Sequence, residues 1–131
     1  MNVFADTSAL FALIVKNDAL HERAVKTFET LAEAQARLIT SSVVLAEISA
    51  LLQHRVGRDA LQDFYGMIYP LLDVVWVDED LFRKGMQRLL LERKKGVSLT
   101  DSLSFEIMET RGLELAFTFD RHFHEHGFGR P

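Results

Sequence analysis

The chain has 131 residues, 19 acidic and 15 basic side chains, and 48% apolar residues, for a formal charge of −4. That length predicts one domain, residues 1–131, with room for a hydrophobic core, and the composition excludes disorder as the main state. The acidic balance argues against holding nucleic acid on a broad basic surface, and the absence of cysteine excludes disulfides, thiolate zinc sites and a cysteine nucleophile.

Met1-Asn2 leads directly into the apolar run Val3-Phe4-Ala5, which predicts a buried strand. Helices are expected over about 8–15 and 20–35, then a strand at Leu38-Ile39. Further helices are expected over 42–56 and 58–71, then a strand at Val74-Val75-Trp76-Val77. Helices over 80–95 and 100–111 precede a last clear strand, Leu115-Ala116-Phe117, continuing towards Phe119. Gly57, Gly96 and Gly112 follow three of these helices as C-terminal stops. Strands apolar on both faces and alternating with helices predict an α/β fold of three layers, α/β/α, around a central parallel sheet of four or five strands. No apolar run approaches the ~20 residues that span a bilayer, and no secretory leader is visible, so a cytoplasmic protein without membrane contact is expected.

Most carboxylates read as solvated helix faces: Glu22, Glu29, Glu33, Glu92, Glu106 and Glu109. Asp78, Glu79 and Asp80 open a helix, where acidic groups suit the dipole. Four others stand apart. Asp6 and Asp120 each end a strand, and each could equally be a helix cap. If both strands are parallel, the two aspartates share the carboxyl edge of the sheet, where ligands bind in such folds. Glu47 has Val43, Val44, Ile48 and Leu51 as its helical neighbours, which predicts a buried glutamate in need of a partner, with a glutamate snorkelling at the edge of the apolar stripe as the alternative. Asp101 lies in Ser98-Leu99-Thr100-Asp101, a capping-box signature.

Four carboxylates on one sheet edge would repel and raise one another's pKa values unless a hard divalent cation lay among them. Mg²⁺ binds few carboxylates, keeps waters and takes substrate phosphate, which points to phosphoester cleavage. The residues suggest a metal nuclease.

The ordered set Asp6-Thr7-Ser8-Ala9-Leu10, Glu47, Leu99-Thr100-Asp101 and Thr118-Phe119-Asp120-Arg121-His122-Phe123 resembles the PIN domain, and within it the VapC-type toxins of toxin–antitoxin pairs. The resemblance covers essentially the whole chain in motif order and spacing. It implies a central parallel sheet and a Mg²⁺- or Mn²⁺-dependent endoribonuclease that hydrolyses RNA phosphodiesters with metal-activated water, leaving 5′-phosphate and 3′-hydroxyl ends. By position, Asp6 and Asp101 match the principal metal ligands, and Glu47 and Asp120 those acting through water or a second ion. Thr7, Ser8 and Thr118 match polar residues that position waters or the scissile phosphate. A homodimer and a cognate antitoxin whose arm blocks the site are also implied. Relatives also serve in RNA processing and decay outside toxin pairs. The tail from His124 to Pro131 departs from the pattern, offering only a weak final strand.

Competing constellations are weaker. His122, His124 and His126 alternate, so an extended segment would align them as a zinc site; His122, near Asp120, could instead touch substrate, and surface histidines are the bland reading. Arg93-Lys94-Lys95 before Gly96 reads as the last turn of a helix or as a phosphate contact, with Arg55 and Arg58 as further candidates. Phe64, Tyr65, Met67, Ile68 and Tyr69 read as core or dimer interface. A phosphatase of the haloacid-dehalogenase type would need an acid where Ser8 stands, and a degenerate, non-catalytic RNA-binding module would be expected to lose the acidic quartet. With those four of the 19 acids set aside, acids and bases are equal in number, so the negative charge reads as a concentrated site on a neutral chain.

Overall fold

A computed structural model describes all 131 residues. Four parallel strands, β1 (Asn2–Ala5), β2 (Arg37–Ser41), β3 (Leu72–Val75) and β4 (Leu115–Phe117), form one sheet in the order β3-β2-β1-β4. β1 is central, with Val3 in register with Leu38 on one side and Leu115 on the other. Its residues Val3, Phe4 and Ala5 are wholly buried, which is why the run is apolar on both faces. β3 is an edge strand and only half-buried; its Asp73 pairs with Arg37 of β2.

Seven helices flank the sheet: α1 (Thr7–Ile14), α2 (His21–Glu33), α3 (Ser42–Arg55), α4 (Arg58–Asp63), α5 (Glu79–Leu91), α6 (Leu99–Arg111) and α7 (Arg121–Glu125). The helices that carry the candidate site are held by aromatic packing. The Phe105 ring of α6 lies edge-on to Phe123 of α7 at 5.0 Å, and Phe123 stacks on Phe4 of β1 at 6.3 Å. All three side chains are fully buried, so α6 and α7 are fixed against the central strand.

α5 and α6 touch through Gly85, the one buried residue of α5. A Cβ built there would sit 2.3 Å from Leu103 Cδ2 and 3.3 Å from Leu103 Cα, and Leu103 is itself fully buried. Gly85→Ala must push the helices apart, so we expect a loss of about 1–3 kcal/mol, read as a lower melting temperature, despite alanine's better helix propensity. A variant as stable as the wild type would show that the helices separate at no cost.

Several expectations are corrected. The helix expected over 58–71 breaks into α4, a π-helical turn over Phe64–Ile68 and a 3₁₀ turn over Tyr69–Leu71, because Pro70 has no N–H to continue the helical ladder. Phe64 and Ile68 are core, whereas Tyr65 and Met67 are exposed. Trp76, expected in a buried strand, lies beyond β3 and is 68% exposed. The helix expected to reach residue 95 stops at Leu91. Glu92 there accepts a hydrogen bond from Lys94 N (3.0 Å) and faces His126 Nε2 (2.7 Å), which turns the chain out of the helix. Arg93, Lys94 and Lys95 therefore lie in a loop rather than in a last helical turn. The tail contributes one parallel bridge, Leu115 with Gly129, so the sheet has four strands.

Candidate metal centre

An open cleft of about 420 Å³ lies at the carboxyl edge of the sheet. Asp6, Glu47, Asp101 and Asp120 all line it, together with Thr7, Ser8 and Arg55. Each carboxylate arrives by a different local route.

Asp6 ends β1 and occupies the N-cap position of α1 in an extended conformation (φ −95°, ψ 161°), yet its side chain makes no capping bond. Its Oδ2 instead accepts from Ser8 Oγ (3.0 Å) and Thr118 Oγ1 (2.9 Å). The same two hydroxyls, 3.1 Å apart, accept from Phe119 N (2.9 Å) and Asp120 N (3.0 Å). This network ties the end of β1 to the segment after β4 and sets Asp6 beside Asp120. Thr118 is absent from the cleft lining and acts through Asp6. Burial pushes the Asp6 carboxyl from its ordinary 3.8 up to about 6; the Thr118 and Ser8 hydroxyls counter part of that, and the Asp101 charge adds to it.

Asp101 is the third residue of α6 and completes a reciprocal capping box. Its backbone N donates to Ser98 Oγ (3.1 Å) and its Oδ2 accepts from Ser98 N (3.0 Å). It is nonetheless 94% buried within the cleft wall, and burial raises its pKa, with the neighbouring Asp120 adding to the shift. Asp120 caps α7 through Oδ1, which accepts from His122 N at 2.9 Å. Capping and cleft lining thus coexist at Asp101 and Asp120, while Asp6 has no capping role.

Glu47 corrects an expectation. It is half-buried at the cleft, and not enclosed by the apolar neighbours that flank it in sequence. Val44 and Ile48 turn into the core, and the open cleft leaves the glutamate room beside them.

His122 is the residue that the sequence undervalued. It is not a surface histidine: its ring is 13% exposed, with Nδ1 2.9 Å from Asp120 Oδ1 and 3.9 Å from Asp101 Oδ2. Ligand atoms of Asp101, Asp120 and His122 all lie within 4.8 Å of one another. The three alternating histidines do not align, because residues 121–125 are helical. His124 Nδ1 meets Phe128 O and His126 meets Glu92, so the zinc arrangement is absent. Of the basic candidates, Arg55 reaches the cleft, whereas Arg58 lies elsewhere.

The donor set fits a hard cation. Two buried carboxylates with raised pKa values face one arginine across the cleft, and the Thr7 hydroxyl, 96% buried, has no hydrogen-bond partner. Oxygen donors short of positive charge, with an orphaned hydroxyl among them, are what a hard divalent cation takes.

Comparisons with known proteins cover nearly the whole chain. The PIN domain family model matches residues 3–129. The chain is 31% identical over 127 residues to VapC20, a 23S rRNA-specific endonuclease of Mycobacterium tuberculosis, in each of two strains; the match covers 96% of this chain and 95% of the relative. The crystal structure of VapC20, described as a toxin that cleaves the sarcin–ricin loop, superposes with a TM-score of 0.86 and 28% identity over 98% of both chains. With the family model, the chain-long sequence match and the superposition in agreement, this chain belongs to the PIN domain family.

Proposed function

We propose that this chain is an endoribonuclease toxin of the VapC type that hydrolyses RNA phosphodiesters, with the whole of residues 1–131 as its nuclease domain. One observation carries the reading: Asp6, Glu47, Asp101 and Asp120, brought from four separate elements, line a single cleft. The similarity to a 23S rRNA-specific endonuclease supports RNA as the substrate class. A haloacid-dehalogenase reading is disfavoured because Ser8 spends its hydroxyl holding Asp6 and offers no acid.

Asp6 and Asp101 would be the principal ligands of a Mg²⁺ or Mn²⁺ ion, with Glu47 and Asp120 binding through water or a second ion. When bound, the cation supplies positive charge that polarises the scissile phosphate and makes water a nucleophile near neutral pH. The protein's own part is positional. Ser8 and Thr118 hold Oδ2 of Asp6, so that carboxylate keeps one orientation. Ser98 holds Asp101 at the start of α6 in the same way. Thr7 offers a free hydroxyl to water or phosphate, and Arg55 is the guanidinium in the cleft that can grip a phosphate oxygen. His122 partly offsets the repulsion that Asp101 feels from Asp120.

The partners implied are RNA, a small antitoxin that covers the cleft, and a second copy of the chain across exposed apolar side chains such as Met67, Leu71 and Trp76. No helix is long and apolar enough to cross a membrane, and a cytoplasmic place fits this reading.

The test is cleavage of total and ribosomal RNA by purified protein with Mg²⁺ or Mn²⁺, with and without EDTA, alongside calorimetric titration of the ions. Metal-dependent internal cleavage leaving 5′-phosphate ends is expected, with ion binding lost in Asp6→Asn. No cleavage with either ion, or release of phosphate from small monoesters with covalent trapping of Asp6, would overturn the reading.

A further inference from the structure

A second cavity, of about 400 Å³, lies beside the acidic cleft between α2, β4 and the tail. Its chemistry is the reverse of its neighbour's. Arg23, Arg121 and Arg130 line it together with Thr27, Thr118 and Phe119, and no aspartate or glutamate does. The two cavities share Leu20 at their boundary, and Thr118, whose hydroxyl holds Asp6, stands in the wall of the basic one.

Arg23 and Arg130 are held without a carboxylate partner, and Arg121 has only a long, exposed one. Arg23 lies over the Phe119 ring, 5.4 Å from its centroid, and has no carboxylate within 4.0 Å. Arg130 Nε donates to His124 Nε2 at 2.9 Å, while His124 Nδ1 lies 2.9 Å from Phe128 O. A carbonyl only accepts, so His124 donates through Nδ1 and accepts from Arg130 through Nε2, which positions the guanidinium without a carboxylate. Arg121 reaches only Glu125, at 3.9 Å, and is 84% exposed. Like charges gathered around one cavity repel, and an anion bound among them would relieve that repulsion.

We propose that this basic cavity is a substrate subsite that binds a backbone phosphate of the RNA strand next to the one placed in the acidic cleft. The inference rests on the ribonuclease reading and extends it. It supplies what the neutral charge balance of the remaining chain does not: local positive charge for the flanking strand. Guanidinium groups bind phosphate in bidentate fashion, and the Thr27 hydroxyl adds a donor for a phosphate or sugar oxygen.

The experiment compares wild type, the Arg23→Gln/Arg121→Gln/Arg130→Gln variant, its Lys counterpart, Arg121→Gln alone, and Arg83→Gln on the outer face of α5 as control. Binding of a fluorescent single-stranded RNA in EDTA is read by anisotropy across salt concentrations, and cleavage kinetics are read with Mg²⁺. The Gln triple variant should weaken binding about tenfold or more and lower the slope of log K against log salt by about 0.7 for each phosphate it no longer neutralises. It should raise KM while kcat stays within about threefold. The Lys variant should keep most of the slope, because charge remains. Arg121→Gln, at a site too exposed to disturb folding, should show part of the effect, and Arg83→Gln none.

Wild-type cleavage with unchanged KM and salt slope in the Gln variants overturns the subsite and leaves the ribonuclease reading standing. Wild-type protein that neither binds nor cleaves RNA overturns both. Unaltered RNA binding with lost affinity for an acidic peptide assigns the cavity to a protein partner and overturns the proposal.

Discussion

Asp6→Asn and Asp101→Asn should each lower RNA cleavage on the order of 10³-fold or more, with folding preserved. The expectation follows from what each side chain does locally. Asp6 caps nothing, and its two hydroxyl partners, Ser8 and Thr118, donate to Oδ2, a role an amide oxygen can fill. At Asp101 an amide oxygen can still accept from Ser98 N and preserve the capping box. Each substitution thus removes negative charge from the cleft and little else. Cleavage of a labelled RNA with Mn²⁺, together with a circular-dichroism melt of each variant, separates lost chemistry from lost fold. Full activity in either folded variant would sink the assignment of that residue.

A second large effect concerns the protein without metal. Asp6 titrates near 6 in the folded state against an ordinary 3.8, chiefly because it is buried. A raised carboxyl pKa means that the folded state binds the proton more tightly than the unfolded chain does. Its stabilising contribution is complete below about 3.8 and is lost as pH rises through about 6. Two pKa units at about 1.4 kcal/mol each make the loss about 3 kcal/mol. Asp101, also raised by burial, acts in the same direction.

In EDTA, therefore, wild type should lose stability between pH 4 and pH 7, whereas Asp6→Asn should lose much less. At pH 7.5 the variant should melt about 10 °C above wild type, and the two should converge near pH 4. Adding Mn²⁺ should raise the wild type and leave the variant nearly unmoved, since only the folded wild type binds the ion. Urea or thermal melts across this range test it; parallel curves for the two proteins would refute the burial argument.

That penalty falls on Asp6 rather than on Glu47, where the sequence suggested it. Glu47 has apolar residues one helical turn away on both sides, but those neighbours state only which side chains share its face. Whether the face is covered depends on what packs there, and at Glu47 it is an open cleft. Asp6 is buried by partners far along the chain: Thr118, 112 positions away, donates to its carboxylate. The same holds for His122. Its ring is enclosed because residues 121–125 coil into a short helix that Phe123 anchors on Phe4 and Phe105.

Local order explains what could be read directly. The Ser98-x-x-Asp101 box forms as its spacing predicts, because its two hydrogen bonds lie within four residues. Asp78 caps α5 through Leu81 N, and Gly112 ends α6 in the left-handed conformation at φ 67°. The strand positions follow from apolar runs that suit a covered sheet, although β3 is only half-buried, starts earlier than its apolar run and stops before Trp76.

By itself the sequence determined the class of fold, the four carboxylates and their order, since these depend on local periodicity and on residue type. Tertiary structure alone decided which carboxylate bears the burial, where the long helices break, and that Arg23, Arg121 and Arg130 meet in one cavity. Those are matters of distance between residues remote in the chain, set by how helices close over the sheet and not by any neighbour in sequence. The net charge of −4 is thereby seen to be unevenly placed, with an acidic cleft and a basic cavity side by side.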